Sequence, residues 1–124
     1  MSFGVILFAH GARDPEWRVP VDRLAALVAQ RMPGAHVVAA FLEHMTPSLS
    51  EAVAARVAAG ASHVLIVPVF LARGGHLKHD LPRMIAELQA RFPEVELQVT
   101  APVGEADPVL AAMAAWVSKS AATA

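Results

Sequence analysis

Val64-Leu65-Ile66-Val67-Pro68-Val69-Phe70-Leu71 runs through eight residues without a polar side chain. The run is far short of the roughly 18 apolar residues a membrane span needs, and it is rich in β-branched side chains. Such a stretch reads as a strand covered on both faces, as in the middle of a parallel sheet. Val5–His10 and Val37–Glu43 read the same way. Val95, Leu97 and Val99 alternate with Glu96, Gln98 and Thr100, which predicts a half-exposed edge strand. Pro68 is expected to end ladder pairing near Val67, because proline has no N–H to donate.

Between these runs lie helical patterns. Trp17, Val21, Leu24 and Val28 fall on one helix face, as do Leu81, Ile85, Leu88 and Phe92. Leu49, Val53 and Val57, and Leu110, Met113 and Val117, form shorter stripes. Asp14-Pro15, Thr46-Pro47 and Asp107-Pro108 each place a capping side chain before a proline suited to a first helical turn, and Asp80 can cap ahead of Pro82. Gly34 and Gly60 are expected to close the first two helices. Pro20 should kink the first helix or delay its regular part. The order is βαβαβαβα, and strands alternating with helices imply a parallel sheet with right-handed crossovers. The fold class predicted is α/β: a four-stranded flavodoxin-like parallel sheet, order 2-1-3-4, with helices on both faces, as a single domain over residues 1–124.

Composition narrows the function. The chain has 124 residues, a formal charge of −1 and no cysteine. Disulfides, thiolate metal sites and iron–sulfur clusters are therefore excluded. There is no basic footprint for nucleic acid, no membrane partner is expected, and the start of the chain lacks a leader pattern, so cytoplasm is the expected location.

The candidate site comes from position. His10 ends the first strand, Glu43 ends the second and His76 follows the third, each separated from the next by 33 residues. Each interval is one βα unit, so the three side chains occupy comparable places at the carboxyl edge, where open α/β sheets bind ligands. A 33-residue period also belongs to helical ankyrin repeats, but the strong strands argue against that. Singly, each residue has an ordinary reading: a hydrogen-bonded strand-end histidine, a solvated glutamate, and a histidine beside the turn glycines Gly74 and Gly75. Together they make a sulfur-free site for a divalent metal or for proton transfer. His44 neighbours Glu43, and if the strand continues only one of the two faces the crevice. His79 reads as a helix-entry residue near Asp80, and His36 and His63 lie at the opposite edge of the sheet.

His10-Gly11-Ala12-Arg13-Asp14-Pro15 after an apolar strand resembles the N-terminal signature of the CbiX-type sirohydrochlorin chelatases. Phe41-Leu42-Glu43 with Pro47, Val67–Leu71 leading into Gly74-Gly75-His76, and Asp80-Leu81-Pro82 are similar too. Pro102-Val103-Gly104 with Asp107-Pro108 is a weaker match. The resemblance to this small class II form implies a half-size chelatase-like domain acting as a homodimer, its site in a cleft facing the partner. It implies insertion of a divalent metal, Co²⁺ first and Fe²⁺ or Ni²⁺ next, into sirohydrochlorin for cobalamin or sirohaem. The metal is substrate, and no tightly bound cofactor is expected. The family histidines map onto His10 and His76 and the family glutamate onto Glu43, as catalytic and metal-binding groups. Gly11, Ala12, Arg13, Arg73 and Lys78 would bind the substrate's carboxylates through backbone N–H groups and cationic side chains. Ala12 stands where the family commonly has serine.

Three rival readings share parts of this pattern. A tetrapyrrole or metal carrier shares every feature except turnover. A histidine phosphatase needs an arginine before the histidine, where this chain has Ala9. A receiver-type module needs an acidic cluster that the first strand lacks.

Overall fold

The computed structural model describes residues 2–72 and 74–124, without the side chains of Ser2 and His76. Four strands, β1 (Ser2–Ala9), β2 (Ala35–Phe41), β3 (Ala61–Pro68) and β4 (Glu96–Val99), form one sheet in the order β2-β1-β3-β4. All pairings are parallel. The helices are α1 (Val19–Arg31), α2 (Leu49–Ala58), α3 (Gly75–Arg91) and α4 (Asp107–Ala122), with 3-10 turns at Pro15–Arg18 and Val103–Glu105. The predicted order and alternation are both present.

Strand order dictates the layers. The chain steps one way from β1 to β2 and the other way from β2 to β3 and β4. Right-handed crossovers therefore put α1 on one face and α2 and α3 on the other. The α2/α3 side holds the larger core: Ile6, Phe8, Val53, Val64 and Ile66 are fully buried there, with Leu49, Leu81 and Leu88 around them. Each such side chain contributes about 1.5–3 kcal/mol on burial. The α1 side is thinner, a cluster of Ala9, Val21, Ala39 and Phe41.

Several local expectations are corrected. β3 ends at Pro68, close to the expected place, although Pro68 itself still pairs opposite Phe8 and Val69 N–H donates to the Phe8 carbonyl at 2.8 Å. Even-numbered residues of β3 turn their backbone polar groups toward β4, as Thr100 N–H bonding the Ile66 carbonyl shows. The N–H that Pro68 lacks would point where that ladder has already ended. Thr46 does not cap α2. Ser48 does, in a reciprocal box: its hydroxyl accepts from Glu51 N–H at 3.1 Å and its own N–H donates to the Glu51 carboxylate at 2.8 Å. Asp80 does not cap α3, which starts at Gly75, more than a turn earlier, and carries Pro82 inside it. Asp107 is the first residue of α4 rather than its cap. Gly34 does not close α1, which ends at Arg31 with Met32 as its cap before Pro33, whereas Gly60 follows α2 with φ +96° as expected. Asp14 caps the 3-10 turn, accepting from Glu16 N–H at 2.9 Å, and Pro20 delays the regular helix to Val19.

The stripe on α4 behaves unlike the others. Every residue from Leu110 to Lys119 is exposed, so this helix lays no face on the sheet of its own chain.

Candidate functional site

Backbone pairing runs past the strands at the carboxyl edge. Leu42 N–H donates to the Ala9 carbonyl at 2.9 Å and Glu43 N–H to the His10 carbonyl at 3.1 Å. The β1 and β2 exits are thereby held side by side, and residues 33 apart in sequence become neighbours. His10 Nε2 lies 3.0 Å from Glu43 Oε1. A carboxylate only accepts, so Nε2 is the donor, and in the neutral imidazole Nδ1 is then the nitrogen that carries the lone pair. Hydrogen-bonded carboxylates fix metal-binding and proton-accepting histidines in this way.

Gly11 makes this approach possible. Its φ is +92°, and a Cβ there would lie 2.0 Å from the Glu43 carbonyl oxygen. The His10 turn therefore crosses against the backbone of the second exit, and only a residue without a side chain fits.

The second exit is a loop and not a continued strand. β2 stops at Phe41, His44 takes φ 66°, and the Thr46-Pro47 peptide is cis. Pro47 carbonyl accepts from Phe41 N–H at 2.9 Å, folding the loop back on the strand. The expectation that Glu43 and His44 face opposite ways applies only to a strand. Here His44 Nε2 reaches within 3.7 Å of the same Glu43 oxygen, an ion-pair distance too long for a hydrogen bond. Ala12, Arg13, Pro15, Arg18, His44, Met45 and Thr46 line a shallow pocket of about 320 Å³ beside the pair. His44 and this pocket were not read from sequence; Pro47, four residues after Glu43, was the signal that the strand could not continue.

Charge in the pocket is divided. Arg18 is committed to the scaffold: it donates to both Asp22 oxygens and to the Thr46 carbonyl, and lies 4.6 Å over the Phe41 ring. Arg13, by contrast, is exposed at the pocket wall.

His10 and Glu43 are thus brought together, with Gly11, Ala12 and Arg13 in the same loop. His76 lies in the first turn of α3, which starts from the same edge, and its side chain is outside the described residues. Arg73 also lies outside them. Lys78 is exposed in the first turn of α3. Among the described residues, no three histidine or carboxylate groups converge as a metal cage. His63 stays at the opposite edge, 2.8 Å from Glu96.

The family model CbiX matches residues 4–120, nearly the whole chain. The chain belongs to the CbiX family. It is 33% identical over 107 residues to a sirohydrochlorin cobaltochelatase of Saccharolobus islandicus, covering 82% of each chain. Among solved structures, a CbiX protein from Marinobacter aquaeolei superposes with a TM-score of 0.85 at 30% identity, covering 98% of this chain and 99% of that one. The sirohydrochlorin chelatase SirB from Bacillus subtilis subspecies spizizenii, in complex with cobalt, gives a TM-score of 0.70 at 27% identity. That match covers 83% of this chain and 44% of SirB, so this CbiX chain spans about half of the bacillary enzyme.

Proposed function

We propose that this CbiX protein is a sirohydrochlorin chelatase that inserts a divalent metal, cobalt first, into the tetrapyrrole, acting as a cytoplasmic homodimer. The observation that carries the reading is the His10–Glu43 pair at the carboxyl edge of a chain whose curated relatives are sirohydrochlorin cobaltochelatases. Insertion replaces two pyrrole protons with one M²⁺, so the site must accept protons and hand over a partly dehydrated ion. His10 Nδ1 is the free base or ligand for that task. Glu43 holds the ring through Nε2 and balances the charge that forms on it. His76, which the family resemblance pairs with His10, is the second imidazole.

The metal is substrate and has to leave with the product. A weak, open site suits this better than a closed cage, and the exposure of both His10 and Glu43 fits that need. Arg13, with Arg73 and Lys78, would meet the ring's carboxylates, and the Gly11–Arg13 backbone N–H groups add donors. The half-length match to SirB supports the homodimer, since two copies of this chain supply about the length of one SirB chain. Fe²⁺ and Ni²⁺ accept the same ligand types and are the alternative metals.

The test is an anaerobic absorbance assay of protein, sirohydrochlorin and Co²⁺, Fe²⁺ or Ni²⁺, against the spontaneous rate and against His10→Ala. Metal-dependent acceleration that is lost in the variant is expected. A spectral shift on binding without acceleration by any metal would refute the enzyme and leave a carrier.

A further inference from the structure

His44 is held in an unfavourable backbone conformation without serving the scaffold. Its φ is 66°, a region that glycine enters freely and that is costly for a residue with a Cβ. The loop around it is tied down on both sides. Phe41 N–H donates to the Pro47 carbonyl at 2.9 Å, and Arg18 donates to the Thr46 carbonyl at 3.3 Å. The His44 side chain is 35% exposed, yet neither ring nitrogen makes a hydrogen bond among the described residues. A histidine kept at such a φ with no hydrogen bond in its own chain points to a ligand.

The pocket beside it is basic. Its lining holds Arg13, Arg18 and His44 and no carboxylate. Arg18 is balanced by Asp22, whereas Arg13 makes no hydrogen bond or ion pair among the described residues.

We propose that Arg13 and His44 together seat one peripheral carboxylate of the tetrapyrrole, and that this seat fixes how the ring is turned over the His10–Glu43 pair. The Arg13 guanidinium fork matches a carboxylate in plane, and an imidazole offers an N–H in its neutral form as in its charged one. A carboxylate arm fills roughly three water volumes, about 90 Å³, so a pocket of about 320 Å³ admits it together with water. His44 Nε2 lies 3.7 Å from Glu43 Oε1, so an arm held there anchors the ring edge next to the groups that exchange protons for metal. One anchored arm restricts rotation of the ring in its own plane, and such positioning separates productive from unproductive binding. Glu43 also places a like charge nearby. His44 alone would therefore hold an arm poorly, and the Arg13 guanidinium is needed to offset that charge.

This seat presupposes the tetrapyrrole reading proposed above and adds a specificity-determining residue to it. Its test is calorimetric titration of metal-free sirohydrochlorin into the full chain and its variants, with KM, kcat and thermal melts alongside. His44→Gly should melt at or above the parent, because it relieves the backbone, and yet bind sirohydrochlorin about 5- to 20-fold more weakly. The loss should appear in KM far more than in kcat. His44→Asn tolerates the same φ and keeps an N–H, and should regain most of the affinity. Arg13→Gln should weaken binding to a similar extent. The double variant should lose less than the product of the two single losses, because both donors serve one carboxylate. Parent-like affinity in His44→Gly would overturn the seat. A loss confined to kcat would place His44 on the metal or on Glu43, and single losses that multiply in the double variant would mean two separate contacts; either result overturns it too. Coupled losses of binding in a chain that inserts no metal would refute the chelatase and leave the seat standing.

Discussion

Gly11→Ala tests the site at its narrowest point. A Cβ at this position would come within 2.0 Å of the Glu43 carbonyl oxygen and 3.4 Å of Phe41 Cβ, at a φ of +92°. Left-handed backbone costs an L-residue roughly 1–2 kcal/mol, and forcing an atom into packed surroundings adds about 1–3 kcal/mol through backbone displacement. The sum is about 2–5 kcal/mol. The Glu43 oxygen is backbone, so relief requires the two exits to move apart, which pulls His10 away from Glu43. For a chain of this size a loss of 1 kcal/mol lowers Tm by about 3–5 °C, so a drop of roughly 6–25 °C is expected in a thermal melt. Metal insertion should be lost even well below the new Tm. Gly34→Ala is the control, because its Cβ would meet nothing within 4 Å and its φ is not in the left-handed range. It should be neutral or stabilise by up to about 1 kcal/mol. If Gly11→Ala melts within a degree or two of the parent, the close crossing of the His10 turn over Glu43 is refuted.

The other expectations separate chemistry from stability. Glu43→Gln keeps an acceptor for His10 but removes the charge; insertion should fall about 10- to 100-fold, while the melting temperature stays near the parent's because an exposed pair contributes less than about 1 kcal/mol. His10→Ala should abolish insertion with the fold intact, checked by the absorbance assay and circular dichroism. Ser48→Ala removes the box that starts α2 and should cost about 1 kcal/mol, seen as a small shift in the urea midpoint with insertion retained. Ala12→Ser, which restores the hydroxyl common in the family, should lower KM for sirohydrochlorin about 3- to 10-fold with kcat unchanged, the signature of a ground-state contact.

Much of the site's layout was legible because it follows from chain geometry alone. In a parallel sheet each βα unit returns the chain to the same edge, so the 33-residue interval from His10 to Glu43 becomes adjacency once β1 and β2 pair. The place of His44 was not legible. It depends on where β2 stops, and that is settled by the fold-back from Pro47 to Phe41, a contact between loop and strand. The helix starts were misread for a related reason. Proline marks a turn nearby but does not say which polar residue supplies the cap, and at α2 the Ser48–Glu51 pair outdoes Thr46 by satisfying two backbone donors at once.

By itself the sequence determined the four strands, their parallel order and the edge that carries His10 and Glu43. Apolar periodicity and crossover handedness act locally, and they leave few arrangements open. Only the tertiary structure decided how the edge is used. It set the Nε2 contact that frees Nδ1 of His10, the crossing that requires Gly11, and the commitment of Arg18 to Asp22 while Arg13 stays exposed. It also decided that the apolar stripe of α4 finds no cover within the chain. A hydrophobic pattern states that a face will be buried, but the surface that buries it is a property of how the other elements pack.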